Sequence, residues 1–549
     1  MFIRVHPWFN SIVGKQGVFR SRKPWGFVTA PPRPSALLQL PMRFDLARYL
    51  LAVSALLLAH STGAAVSPAV VFTDHMVLQR GVPVPVWGRA DPGEEITVSF
   101  AGQTRSVTTG ADGRWSLSLD PLEASATPRV MTVRGRNAVA LNDVLVGEVW
   151  LCSGQSNMEK NLGPRRGQQP TDRHAAEIAA ANHPLLRLFQ MPRHGKLAEG
   201  DNLSRRWLIC TPDVIDADQF SAAGYFFGRE LLAKLNVPVG IIHSSLGGTR
   251  IELWTTPEGF ASVTALADFA DAARAEKNFD GAALSSLHAS MIQPFAPFAL
   301  RGFLWYQGEA NLLKNDFAIY TDKTHALIHG WRQLWKLPEA PVYSVQLAPH
   351  TYSFRKKPEP LSTEALPFFW EAQNAAALLP HTGIVVTNDL APDPSDVHPT
   401  NKMAVGLRLA NLALAHTYGL AALTAHGPRF ETFFIEGKTA ALSFPVTRQL
   451  TTRDGENPTG FTIAGADRKF FPAQAVIRGG QVFVSAPEVI APVAVRYGWH
   501  ETKPGNLTDA TGLPSPAFRT DTWEIVWRRP PTPADVAPTS PPAPKSALD

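Results

Sequence analysis

Five short apolar runs punctuate the middle of the chain, at 149–152, 239–243, 302–306, 342–347 and 384–387. Helical periodicity fills the intervals between them. Ser221 is placed to cap a helix that sets Ala223, Phe227, Leu231 and Leu235 on one face. Tyr320, Leu327, Ile328, Trp331 and Trp335 share a face in a second, and 402–418 reads as a third. Near-continuous apolar strands alternating with helices predict an α/β fold whose parallel sheet carries helices on both faces.

The flanks read differently. Within 66–145, alternating stretches such as Ile96-Thr97-Val98-Ser99-Phe100 and Trp115-Ser116-Leu117-Ser118-Leu119 are separated by Asp91-Pro92-Gly93 and Ala111-Asp112-Gly113. Within 426–528 the same alternation returns, as in Phe461-Thr462-Ile463-Ala464 and Val482-Phe483-Val484-Ser485. At 549 residues the chain is too long for one ordinary domain. The expectation is an N-terminal β-domain at 66–145, an α/β domain at 146–425 and a C-terminal β-domain at 426–528, both β-domains sandwich-like. Residues 529–549, rich in Pro, Ala, Ser and Thr, read as a disordered tail.

The N-terminus reads as processing sequence. Arg43 and Arg48 form a positive region, residues 50–59 an apolar one, and Gly63-Ala64-Ala65 a small-residue cleavage site. That apolar run is too short to span a bilayer, so 42–65 is expected to be a signal peptide and the mature chain to hold no stable membrane span. Residues 1–41 are expected to be a mis-called extension preceding the true start at Met42, with a genuine long n-region as the rival reading. They contain Arg4, Lys15, Arg20, Arg22, Lys23 and Arg33 and no acid, which exceeds the whole formal net charge of +5. The mature protein is therefore near neutral to slightly acidic, and the basic excess does not imply a nucleic-acid partner.

Ligands of open α/β sheets bind beyond the carboxyl ends of the strands. Residues following the apolar runs are Ser153-Gly154-Gln155-Ser156-Asn157-Met158-Glu159, Ser244-Ser245-Leu246-Gly247-Gly248-Thr249, Gln307-Gly308-Glu309-Ala310-Asn311, and Asn388-Asp389 with Asp396-Val397-His398-Pro399. A hydroxyl, glycine amides, a carboxamide and a histidine with nearby acids converge on one edge. Those are the parts of an acyl-transfer site: nucleophile, oxyanion donors, general base and orienting acid. Each has a bland reading alone. Ser156 in a turn, two glycines in a loop and a histidine before proline are all common; their placement after successive strands is what joins them.

With these stretches assembled, the chain resembles the sialate O-acetylesterase family of SGNH-type carbohydrate esterases. The likeness is carried by Trp150-Leu151-Cys152-Ser153-Gly154-Gln155-Ser156-Asn157-Met158, Gly247-Gly248-Thr249-Arg250-Ile251-Glu252-Leu253-Trp254, Trp305-Tyr306-Gln307-Gly308-Glu309-Ala310-Asn311 and Asp396-Val397-His398-Pro399. It extends to Leu78-Gln79-Arg80 and Val86-Trp87-Gly88 in front, and to Val495-Arg496-Tyr497 and Phe518-Arg519-Thr520-Asp521 behind. The resemblance implies an SGNH/flavodoxin-like sheet, Ser156 as nucleophile and His398 as base. The implied oxyanion hole comprises the Ser156 amide, an amide of Gly247 or Gly248, and the Gln307 carboxamide. Asn157, Arg250 and Glu309 stand beside the substrate or just behind the reacting groups.

Two departures matter. The common SGNH pattern puts the acid three residues before the histidine, where this chain has Ser395; Asp396 is then the candidate, with Asp393, Asp389 or a backbone carbonyl as alternatives. Leu246 stands where the family often has Trp.

The function implied is an exported serine esterase, periplasmic or extracellular, that removes O-acetyl groups from carbohydrate through an acetyl-enzyme intermediate. Acetylated xylan or another polysaccharide is the alternative substrate to sialate, and a non-catalytic carbohydrate-binding protein is the alternative class. Arg250 is a possible reader of the sialate carboxylate, or structural. No cofactor or metal is expected, because the histidines lack metal-ligand spacing and no phosphate-binding glycine loop is present. Cys152 and Cys210, the two cysteines, could pair with each other.

Overall fold

The computed structural model describes residues 65–192 and 206–529, apart from short stretches at 166, 218–219, 280, 356–358, 421–423 and 446–448. The expected extension at 1–41, the signal peptide up to residue 64 and the tail from 530 lie outside the described residues.

The centre is the parallel sheet that the apolar runs demand. Its strands are β1 (Ala138–Gly154), β2 (His183–Gln190), β3 (Trp207–Cys210), β4 (Val239–Ser245), β5 (Gly302–Tyr306), β6 (Val342–Val345) and β7 (Thr382–Val385). Their order across the sheet is β3-β2-β4-β1-β5-β6-β7. All neighbours run parallel except β3, which pairs antiparallel to β2 at the edge. Every residue of β4 and β5 is buried, as a sheet covered on both faces requires.

Alternation along the strands feeds two cores. Leu151, Phe303, Trp305 and Val342 point to one face. There they meet Trp331 and Trp335 of α4 (Ile319–Trp335) and Phe369 and Trp370 of α5 (Ala365–Ala376). Trp150, Cys152, Leu304, Tyr306 and Tyr343 point to the other. They meet Phe226 and Phe227 of α2 (Ala222–Leu235) and Leu409, Leu412 and Ala413 of α6 (Lys402–His416). Ser221 caps α2 as expected, its side chain accepting from the Gly224 amide.

Two features differ from the sequence reading. β2, β3 and α5 had no separate signal: His183-Pro184-Leu185-Leu186-Arg187-Leu188-Phe189-Gln190 mixes polar and apolar residues without a clean period of two. β1 is a 17-residue strand rather than a four-residue one. It starts antiparallel to Ser125–Arg134 and ends parallel to β4 and β5, so the boundary expected at 145/146 runs through one strand. Cys152 and Cys210, whose pairing the sequence leaves open, are both buried and free.

Glu148 sits in the middle of that strand with no exposure. It accepts from Arg80 Nε at 2.6 Å, Gln79 Nε2 at 3.0 Å, Arg301 Nε at 2.9 Å and the Tyr418 hydroxyl at 2.9 Å. One carboxylate thus ties the front β-region to the sheet and to the end of α6. In the rear, strands within 432–497 enclose a separate core of Leu442, Ile463, Val482, Val484, Val495 and Tyr497.

Candidate active site

β1 lies at the point where chain order reverses, with β4 on one side and β5 on the other. Crevices of open α/β sheets form at such points. The ends of these three strands bring Ser156, Gly247 and Gln307 to one edge, with Gln307 leading into the one-turn helix α3 (Glu309–Leu312).

At the end of β1, Gly154 has φ +138°, and a Cβ there would lie 2.2 Å from the Tyr306 carbonyl oxygen. Glycine is therefore required by close backbone approach as well as by conformation. The Gln155 amide donates to that same carbonyl at 3.0 Å. The chain then turns into α1 (Ser156–Glu159), a single turn whose first residue is half-buried and whose other three are buried.

Asn157 reaches across the crevice. Its Nδ2 donates to Glu309 Oε1 at 2.5 Å and to the Val397 carbonyl at 2.9 Å, and its Oδ1 accepts from Lys402 Nζ at 2.7 Å. Val397 precedes His398, so the residue after Ser156 is bonded to the residue before His398. Ser156 and His398 make no side-chain hydrogen bond to each other here, which is common before substrate binds.

Asp396 Oδ1 accepts the His398 amide at 2.8 Å and lies 3.7 Å from His398 Nδ1. It shapes the loop and stands within ion-pair reach of the ring. The alternative acids are committed elsewhere. Asp389 forms a two-pronged pair with Arg408 at 2.7 and 2.6 Å. Asp393 accepts from the amide and hydroxyl of Ser395 at 2.9 and 2.6 Å.

Charge around His398 favours the neutral ring. Burial is the largest cause, Lys402, Lys160 and Arg165 act in the same direction, and Asp396 opposes them; the net result is an imidazole pushed down to about 4. It is thus unprotonated at neutral pH, the state a general base needs. Lys402 is itself fully buried, and burial with the nearby Lys160 pushes its ammonium down to about 7 against the pull of Glu309 and Asp396. Burial raises the Glu309 carboxyl, while the Asn157 bond and Lys402 hold it down. Glu309 Oε2 and the Tyr306 hydroxyl, both buried, have no hydrogen-bond partner.

The oxyanion donors differ in detail from the expectation. The Gly247 amide donates to Glu159 Oε2 at 2.9 Å, and Glu159 Oε1 accepts from Arg165 Nη2 at 3.2 Å. Gly247 is therefore occupied. Gly248 is exposed, has φ +74° and faces open space where a Cβ would stand. Gln307 is nearly fully buried: its Nε2 has acceptors at Gln155 Oε1 (3.1 Å), the Thr249 carbonyl (3.1 Å) and Asn311 Oδ1 (2.7 Å). Its Oε1 accepts from the Tyr320 hydroxyl at 2.9 Å. In this arrangement the carboxamide braces three loops and has no hydrogen left for a substrate oxygen.

Arg250 is likewise tied down. Its Nη2 meets Glu252 Oε1 at 2.6 Å and Asp316 Oδ2 at 2.9 Å, and Lys323 Nζ meets the same two oxygens at 2.6 and 2.7 Å. Of its two expected roles, the structural one fits this network. Lys402, Glu159 and Arg165 were not singled out in sequence. Only the run Asp396-Val397-His398-Pro399-Thr400-Asn401-Lys402 hinted at the first, as a lysine on the apolar face of a helix.

Among the described residues, no group of three or more His, Cys, Asp or Glu is arranged to hold a metal ion. Among them also, no helix is long and apolar enough to cross a membrane.

Comparison with known proteins follows the same lines. Residues 146–415 match the family model described as carbohydrate esterase, sialic acid-specific acetylesterase. A carbohydrate acetylesterase from Xanthomonas citri of known crystal structure is 35% identical. The match covers 84% of this chain and 100% of that one, with a TM-score of 0.72. The sialate O-acetylesterase of Homo sapiens is 27% identical over 463 residues, covering 77% of this chain and 86% of the relative. That of Rattus norvegicus is 28% identical over 488 residues, covering 78% and 88%.

Proposed function

Because the chain belongs to the sialic acid-specific acetylesterase family of carbohydrate esterases, and is a carboxylic ester hydrolase that deacetylates carbohydrate, we propose that it works as a serine esterase through an acetyl-enzyme. In this reading Ser156 Oγ attacks the acetyl carbonyl carbon while His398 Nε2 takes its proton. The carbonyl oxygen gains the negative charge and is met by the amides of Ser156 and Gly248. Collapse expels the sugar hydroxyl, protonated by His398, and leaves the acetyl group on Ser156. Water, activated by the same imidazole, then releases acetate.

The observation that carries this reading is the bond from Asn157 Nδ2 to the Val397 carbonyl, which joins the serine and histidine loops. His398 depressed to about 4 supports it as a base over the physiological range. Asp396 orients the ring from 3.7 Å. Asn157 and Glu309 stand behind the reacting groups, and Gln307 braces the loops.

The natural ester proposed is an O-acetylated sialic acid. The protein is proposed to be exported, with 42–65 as the signal, to the periplasm or outside the cell. The flanking regions 66–145 and 426–528 are sandwich-like domains that frame an SGNH-type centre. Acetate release from O-acetylated sialic acid and from acetylated xylan, by wild type and Ser156→Ala, tests the proposal. Release from sialate that Ser156→Ala loses by roughly 10⁴-fold or more supports it. Preference for xylan moves the substrate, and full activity of Ser156→Ala overturns the mechanism.

A further inference from the structure

We propose that Lys402 is a positioning residue for the esterase reaction, holding His398 against Ser156 through Asn157. The inference rests on the serine-esterase reading above and goes beyond it.

Lys402 opens α6 directly after the histidine loop, with Asn401 as its cap accepting from the Ala404 amide at 3.0 Å. Its side chain points inward and is fully buried. A buried ammonium is costly unless polar groups replace its lost water. Here the replacements are Asn157 Oδ1 at 2.7 Å and the face of the Tyr306 ring at 5.0 Å.

Asn157 has one acceptor oxygen and two amide hydrogens, and all three directions are used. The oxygen faces Lys402, and the hydrogens face Glu309 Oε1 and the Val397 carbonyl. Lys402 thereby anchors the oxygen end of a carboxamide whose nitrogen end is held by Glu309 and Val397. Reversed, Asn157 would set an NH₂ against the ammonium and an oxygen against both the Val397 carbonyl and the Glu309 carboxylate, repulsions in place of all three bonds. The direction of Asn157 in turn sets the height of the His398 loop over Ser156.

Packing alone does not call for a charge here. A methionine of similar length would fill the space without desolvating an ammonium. The charge also bears on the base. The ionic groups acting on His398 are Lys402, Lys160 and Arg165 on the positive side and Asp396 on the negative. Those acting on Lys402 are Lys160, Glu309 and Asp396. Near pH 4 Lys402 is protonated, so its removal lets the His398 proton bind more readily.

The test uses the full chain with a chromogenic acetyl ester, following kcat and KM separately from pH 3.5 to 8, with thermal melting as a folding control. For Lys402→Met, kcat falls roughly tenfold to a hundredfold with KM little changed. The acid limb of kcat/KM moves to higher pH. Lys402→Arg, which keeps the charge, restores the limb and part of kcat. The double variant Lys402→Met/Asn157→Ala is no worse than Asn157→Ala alone, because both act through one bond.

An unmoved acid limb with full kcat in Lys402→Met overturns the proposal, as does additive loss in the double variant. If Lys402→Met does not fold, Asn157→Ala decides: unchanged kcat there is equally fatal. Ser156→Ala keeps the two claims apart. Its inactivity beside a normal Lys402→Met sinks only the role of Lys402, whereas its full activity sinks the serine mechanism itself.

Discussion

The amide of Gly247 donates to the carboxylate of Glu159 at 2.9 Å, so a glycine beside the proposed nucleophile Ser156 is held by an acid three residues after that serine. A Cβ on Gly247 would stand 3.0 Å from Glu159 Oε2 and 3.2 Å from Ser156 Cβ. Gly247→Ala therefore requires Glu159, Ser156 or the loop itself to give by a few tenths of an ångström. We expect kcat on a simple acetyl ester to fall about tenfold with melting temperature little changed. Wild-type turnover in this variant would mean that the loop yields freely.

Gln307 separates two roles by stability. As a brace, its loss removes the bonds that join Gln155, Thr249, Asn311 and Tyr320 in a dry interior, at about 1 kcal/mol for each bond. Gln307→Ala is therefore expected to lower melting temperature and kcat together. A fall in kcat with unchanged unfolding free energy would instead restore the carboxamide to the oxyanion hole.

The pH dependence follows from His398. Its ring is pushed down to about 4 by burial, reinforced by Lys402, and in the proposed mechanism it must be unprotonated to accept the Ser156 proton. Activity is lost as pH falls through that value. We expect the acid limb of kcat/KM near pH 4, below the ordinary imidazole value of about 6.5. A limb near 6.5 would contradict the electrostatics drawn for the site.

Arg250 supplies a specificity test. Its guanidinium is paired with Glu252 and Asp316. Arg250→Ala is expected to lower melting temperature while leaving the ratio of kcat/KM for O-acetyl sialate over acetylated xylan unchanged. A selective loss on sialate would make it the carboxylate reader after all.

Glu148 is a test of stability alone. Burial alone would raise its carboxyl, but Arg301 and Arg80 outweigh that and hold it below the usual range. Glu148→Gln strands two guanidiniums at a partly covered site and is expected to cost about 3 kcal/mol in denaturant unfolding at pH 7. A carboxylate depressed in the folded state stabilises above its unfolded pKa, and that contribution is lost as pH falls through the folded value. The gap between wild type and variant should narrow below about pH 4. A gap independent of pH would mean that the loss is one of packing.

Much of this protein is determined by its sequence alone. The apolar runs ending in Cys152, His243 and Tyr306 can only be buried on both faces, which requires a parallel sheet with helices above and below. Polar residues after those runs then have nowhere to go but the carboxyl edge, so Ser156, Gly247 and Gln307 gather there.

Only the tertiary structure decided what each group there does. Whether Gly247 keeps a free amide depends on Glu159, and whether Arg250 is free depends on Asp316 and Lys323, which are 66 and 73 positions further along the chain. Lys402 acts on Asn157 across 245 residues. Burial follows from local period, but a hydrogen bond has direction. Its partner is set by which loop tips meet at an edge, and no local pattern carries that information.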